Sequence, residues 1–368
     1  MDIECTQANL AKALHLVSRM VGTRGTLPVL GNILLSSDKG RLKLAATDLE
    51  IGIQTWIGGK VTQEGAITVP ARLLVDFVTT NSDQKIRLEV KDTTLSLTSD
   101  RFSANINGIP AGEFPGIPEI KQENPLVFEA KALREAIQQT VFATAIDETR
   151  PVLTGVLLKM EETSAKFAAT DSYRLAEKTL PLREKSAPLS VIIPSRTLQE
   201  LNRMLGDSAD SVEVYVADNQ ILFVFNDTVF ISRLIDGVFP DYMQIIPSKE
   251  KQTTKVDLQK DEFSQVMKMA SFFARESANN VRMKVTPEFV EVAAISPQLG
   301  DTLSKLSGTI TGDPVEIAFN AKFILDGLAV FPGETIEIDL AGKHQPGILR
   351  PTGKGDYFYL IMPLRIDG

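Results

Sequence analysis

Apolar positions along the chain recur with two periods. In the opening stretch TQANLAKALHLVSRMV, Leu10, Leu14, Val17 and Val21 fall at i, i+4, i+7 and i+11, one face of a helix over 7–22. AKALREAIQQTVFATA predicts a second helix over 130–145, and LQKDEFSQVMKMASFFAR a third over 258–275. Shorter helical segments follow Pro70, Pro194 and Asn320, and proline suits a helix entrance because the first turn needs no N–H from it. Elsewhere the period drops to two. KIRLEVKDTTLSLTSD and SVEVYVADNQILFVFND alternate apolar and polar positions about a polar centre, as a hairpin does.

The order of these patterns repeats. TLPVLGNILL at 26–35 matches TRPVLTGVLL at 149–158, which sets Pro28 and Pro151 123 residues apart. LAATDLEIG and FAATDSYRL place Asp48 and Asp171 at the same offset. ITVPARLLVDFV matches VIIPSRTLQELN, and AGEFPGIPEI matches DGVFPDYMQI, at offsets up to 125. A fainter third copy runs through VRMKV, EFVEVAAISP and EIAFNAKFILDGLAVF, with Ser296 where Asp171 would stand. A period near 124 is a whole domain, not a solenoid unit. The chain therefore reads as three domains, 1–124, 125–250 and 251–368, joined by the polar, proline-flanked stretches IPEIKQENP and IPSKEKQTTK. Each domain is α+β, with two helices and about eight strands in largely antiparallel sheets.

Charge is unevenly spread over this plan. The six helical segments carry a net +5, from residues such as Lys12, Arg19, Lys131, Arg134, Arg196 and Arg203, while the whole chain carries −8. Everything outside the helices is therefore −13. Basic helices in an acidic chain point to a helix-lined surface facing an anion. Aromatic residues do not interleave with the basic positions, which disfavours base stacking on single strands. Sequence-independent attraction to phosphates is what remains.

Other chemistry is poorly supplied. Cys5 is the single cysteine, read as a buried inert thiol, so no disulfide framework or cysteine-rich zinc site is expected. His15 and His344 are the two histidines, too few for the usual histidine metal sites. Neither a metal, a cofactor nor a catalytic residue is expected. The N-terminus has no basic region leading into an apolar run, and no window of eighteen apolar residues occurs. A cytoplasmic protein with no membrane partner is the expectation.

As an ordered set, LPVLGNILL, AATD in two copies, TVPAR, EFPGIP, AATDSYRLA, VIIPSR, DGVFPDY and the C-terminal IMPLRI resemble the bacterial DNA polymerase III beta subunit family, the sliding clamps. The resemblance runs over nearly the full length. It implies a DNA clamp fold closed as a head-to-tail homodimeric ring, with twelve helices around duplex DNA and a continuous sheet outside. It implies a non-catalytic processivity factor that holds DNA without sequence specificity. Arg24, Arg72, Arg150 and Arg196 would touch double-stranded DNA, and helix position adds Lys12, Lys131 and Arg134.

The resemblance also implies a pocket between domains two and three that captures short linear peptides. Expected partners are the replicative polymerase alpha subunit, the clamp loader delta subunit, translesion polymerases and mismatch-repair proteins. Its walls would be Leu153, Thr170, Ser172, Tyr173, Arg174 and Leu175 from the second repeat, with Pro240 and Ile245. Phe323, Pro346, Leu360, Met362, Pro363 and Leu364 would come from the third, with Arg365 at the rim. An apolar groove with few polar positions suits a peptide held by one or two hydrophobic anchors. Tyr173 and Gln244 stand where histidine and arginine are common in the family, which changes the rim chemistry.

SFFARES resembles the family's subunit contact, with Phe272 and Phe273 set against Phe102 of a second copy. Neighbouring helical residues point about 100° apart, so both rings cannot share one internal core. Two rival readings stay open at this level. Asp48 and Asp171 could be paired catalytic acids or magnesium ligands, although their spacing is that of the repeat. The chain could instead be a repeat-built scaffold that encircles nothing.

Overall fold

The computed structural model describes residues 1–22, 27–118, 120–182, 184–206, 209–353 and 355–365. Six α-helices occur among them, two per repeat: α1 (Gln7–Val17), α2 (Ala71–Thr80), α3 (Ala130–Val141), α4 (Ser195–Leu205), α5 (Lys260–Ala274) and α6 (Ala321–Val330). Thr6 caps α1 by accepting the Asn9 N–H at 3.4 Å, and Leu10, Ala13, Leu14 and Val17 form its buried stripe. Pro70 stands at the entrance of α2, as expected. Asn320 caps α6 with its side-chain oxygen, which accepts the N–H groups of Lys322 and Phe323.

Two helices are shorter than the apolar period suggests. The α-helical part of 7–22 ends at Val17 and tightens into a 3₁₀ turn over Ser18–Met20. The stretch 130–145 ends at Val141, after which Ala143 and Thr144 donate three residues back, to Thr140 and Val141. Side-chain period does not register such a change in backbone pitch.

The strand pairings among the described residues are all antiparallel and build four sheets. The first repeat contributes a five-stranded sheet ordered 60–63, 2–6, 85–91, 94–98 and 103–107. An eight-stranded sheet joins four strands of the second repeat to four of the first, through Thr228–Arg233 paired with Ile51–Gly58. A nine-stranded sheet joins the second repeat to the third through Arg174–Pro181 paired with Tyr357–Ile361. The last sheet, ordered 300–306, 290–296, 280–285 and 315–320, belongs to the third repeat. Both expected hairpins form. Asp92 and Asp218 adopt positive φ, 53° and 47°, in their turns.

These fused sheets govern how the chain packs. It forms two compact units, Met1–Lys131 with Gln199–Leu234, and Ala132–Leu198 with Ile235–Gly368. The division falls within the second repeat, because each of its strand sets shares a sheet with a neighbouring repeat. Cys5 lies in the core of the first unit, where burial pushes its thiol up to about 12. No described helix is long and apolar enough to cross a membrane.

Candidate peptide groove and helix faces

One corner is built three times. Asp48 Oδ1 accepts the backbone N–H groups of Glu50 and Ile51 at 3.1 and 2.8 Å. Asp171 Oδ1 accepts those of Tyr173 and Arg174 at 2.9 and 3.1 Å. Ser296 Oγ accepts those of Gln298 and Leu299 at 3.3 and 3.1 Å. Leu49 and Ser172 both stand at φ 80°, and the hydroxyls of Thr47 and Thr170 donate to the carbonyls of Ile51 and Arg174. The repeated aspartates thus hold a turn together by side-chain mimicry of a backbone bond.

The second copy of the corner does more. Asp171 Oδ2 also accepts from Arg174 Nε at 2.9 Å, and Arg174 reaches Asp326 on α6 at 2.7 Å. Its guanidinium lies over the Phe323 ring at 4.5 Å. Burial disfavours the charged guanidinium, yet Tyr359, Asp326 and Asp171 outweigh it and raise the Arg174 pKa.

Most of the expected groove residues surround this corner. Leu153, Leu175 and Leu360 lie fully buried in one cluster with Phe239, Tyr242 and Ile348, and Met362 packs on it. Tyr242 donates its hydroxyl to Glu177, and burial followed by that carboxylate pushes its phenol up. The chain end runs past the corner: the Met362 N–H donates to the Tyr173 carbonyl and the Leu364 N–H to the Ala318 carbonyl, both at 2.8 Å. Tyr173 is 63% exposed, and Pro240, Ile245 and Arg365 are exposed as well. Ser172 is exposed, Phe323, Pro363 and Leu364 are half-buried, and Thr170 and Pro346 are buried. Leu153, Leu175 and Leu360 are thus core residues beneath the exposed Tyr173. Gln244 does not reach outward freely, since its amide donates to Asp241 at 2.8 Å.

On the helices of the first unit, Lys12, His15 and Arg19 are all exposed on one stripe, at i, i+3 and i+7. His15 escaped the charge reading because a histidine counts as neutral there. Arg19 lies 3.6 Å from Glu200, and Arg72, 96% exposed, lies 3.9 Å from Asp76. Lys131 is exposed. In the second unit Arg150 and Arg196 are exposed, while Arg134 is half-buried and less available than its helix position suggests. Arg24 lies outside the described residues. Lys260, counted in the helical excess, is drawn to the Phe331 carbonyl at 3.3 Å.

At the expected subunit contact the two phenylalanines divide. Phe272 is 43% exposed under the Arg275 guanidinium, and Phe273 is half-buried. Phe102 is likewise exposed, beneath Arg101 at 5.3 Å. Asp83 holds Arg101, and the Arg101 backbone N–H leads the contacts that keep the Asp83 carboxyl below the usual carboxylate range.

Sequence and structure comparisons identify the family. Family profiles for the DNA polymerase III beta subunit match in order, the N-terminal domain at 1–118, the central domain at 128–241 and the C-terminal domain at 243–365. A beta sliding clamp from Synechococcus elongatus is 35% identical over the whole of both chains. The DNA polymerase sliding clamp of Bacillus subtilis superposes over the whole of both chains with a TM-score of 0.96 at 29% identity. A Pseudomonas aeruginosa clamp bound to griselimycin gives a TM-score of 0.95 at 27% identity, again over both chains entirely. Three domains of this kind define a DNA clamp fold. The chain belongs to the DNA polymerase III beta subunit family, the bacterial sliding clamps, and so is a non-catalytic processivity subunit.

Proposed function

We propose that two copies of this chain close head to tail into a ring around duplex DNA, and that the groove beside Arg174 tethers polymerases and other replication and repair proteins by short peptides. The observation that carries the ring is the state of the two end sheets. Internal sheets of eight and nine strands are fusions of neighbouring repeats, while sheets of five and four strands are left at the ends. Joined across two copies, the end sheets would make one nine-stranded sheet, the size of the larger internal sheet.

Repeat equivalence names the strands that would join. Gly300–Leu306 corresponds to Ile51–Gly58 and Arg174–Pro181, and Ser103–Asn107 corresponds to Thr228–Arg233 and Tyr357–Ile361. Both lie at the outer edge of their sheets, where no other described strand pairs with them. Open edges of this kind are ordinarily covered or blunted. Here apolar side chains mark them instead: Phe102 precedes one, and Leu303, 58% exposed, lies in the other. Closure would double the helical charge excess on the inner face and leave the acid outside, which supports sequence-independent attraction to phosphates. A cytoplasmic location fits this role.

The internal seam also supplies a register. Thr228 pairs with Thr55, their hydroxyls 3.0 Å apart, and the equivalent positions at the open edges are Ser103 and Leu303. A Ser103→Cys, Leu303→Cys variant is expected to oxidise to a covalent dimer, since side chains that close lie within disulfide reach. Buried Cys5 should not compete. A variant that stays monomeric under oxidation while folded would defeat the head-to-tail contact.

A further inference from the structure

Arg174 differs from its counterparts Ile51 and Leu299 by bringing a charge into an otherwise apolar corner position. Its side chain is 7% exposed. A guanidinium is tolerated there when partners match it. Asp171 does so from its own corner and Asp326 from α6. The rings of Phe323 and Phe142 lie 4.5 and 5.6 Å from the guanidinium carbon, at distances of cation–π contact.

Phe323 and Asp326 are three residues apart on one face of α6, so a single arginine engages both. The next position on that face is Gly327, where a Cβ would stand 2.5 Å from the Tyr359 ring. Tyr359 donates its hydroxyl to the Phe323 carbonyl at 2.9 Å, and Phe142 packs edge-on against Tyr359 at 5.1 Å. The groove's aromatic residue is thus held at its ring by Arg174 and at its backbone by Tyr359, and the residues that fix Arg174 and Tyr359 in turn, Asp326 and Phe142, are not themselves groove residues.

We propose that Asp326 and Phe142 are positioning residues for peptide capture: by fixing Arg174 across Phe323, they keep the aromatic wall of the groove in its binding arrangement. This rests on the reading of the groove as a peptide site. A wall held before the peptide arrives loses less freedom on binding, and affinity rises accordingly. Without Asp326, Arg174 keeps Asp171 but loses its ion pair to α6, and Phe323 is held less firmly although no peptide contact has been deleted.

The test uses the full-length protein and a short labelled peptide ending in Leu-Phe, followed by fluorescence anisotropy. Asp326→Asn is expected to weaken binding roughly ten-fold, within the usual range of coupling between sites. Asp326→Glu, which keeps the charge, should restore most of the affinity, a recovery that general loss of stability would not show. In a Phe323→Ala background, Asp326→Asn should change affinity by less than about two-fold, because the residue it acts through is gone. Phe142→Leu should behave as Asp326→Asn does. Unchanged affinity in Asp326→Asn, or full additivity with Phe323→Ala, overturns the positioning role alone. Absence of peptide binding by the unaltered protein overturns the groove reading, and this proposal with it.

Discussion

Arg174 of the second repeat and Asp326 of the third are ion-paired at 2.7 Å, one residue in the strand that fuses the two repeats and the other on α6. Arg174 is also the third residue after Asp171, whose carboxylate caps the corner and takes the arginine's Nε–H. A turn present in every repeat has been adapted, at one position, into a link between two of them. The equivalent residue in the first repeat, Ile51, pairs across its seam with Ser232 and carries no charge.

That difference bears on the alanine substitutions of the two aspartates. Asp48→Ala removes two backbone hydrogen bonds and should cost about 1–2 kcal/mol of unfolding free energy. Asp171→Ala removes the same two and strips a buried guanidinium of one partner, which should cost about 2–4 kcal/mol. Denaturant unfolding of the two variants compares them directly. Equal losses would show that the Arg174 pair contributes nothing at that corner.

DNA affinity should respond to the exposed helical cations singly. Lys12→Ala, Arg72→Ala and Arg196→Ala should each lower the slope of log affinity against log salt by about 1, with unfolding unchanged. Arg134→Ala, at a half-buried position, should affect stability more than the salt slope. Binding isotherms on duplex DNA at several salt concentrations give the slopes.

The C-terminus should matter to peptides and not to the dimer. Deletion from Met362 onward removes the N–H groups that Met362 and Leu364 donate to the Tyr173 and Ala318 carbonyls. Peptide binding is expected to fall at least ten-fold, as for loss of a buried anchor site, while sedimentation still reports a dimer. A monomer after this deletion would place the subunit contact elsewhere.

Phe272 and Phe273 should separate in effect. Phe272, exposed on α5, is expected to shift the chain towards monomer when changed to alanine, with little change in unfolding. Phe273, half-buried, should cost stability when truncated, by about 1–3 kcal/mol for a partly buried aromatic. Sedimentation and thermal unfolding of the single variants resolve the two roles.

Much of this was legible in the residues and some of it was not. The helices announced themselves through stripes such as Leu10, Leu14 and Val17, and the corner through the doubled Ala-Ala-Thr-Asp. Asp171 could be read as a cap because its neighbours in the first copy are the same. The seams could not be read. That Ile51–Gly58 pairs with Thr228–Arg233 is a relation between strands more than a hundred residues apart, and no local period encodes it. In the sequence Arg174 reads as one wall residue among others for the same reason: its burial depends on Asp326 and Phe142, which approach it only in the folded chain. The burial of Leu360 was not legible either, since an apolar residue gives the same signal in a core and on a surface.

The ring itself is tested most directly by topology. The protein, loaded on a nicked circular duplex and washed at high salt, is expected to stay bound, and to be released when a single cut linearises that DNA. Release at the same rate from circular and linear forms would contradict encirclement, whatever the affinity of the helices for phosphate.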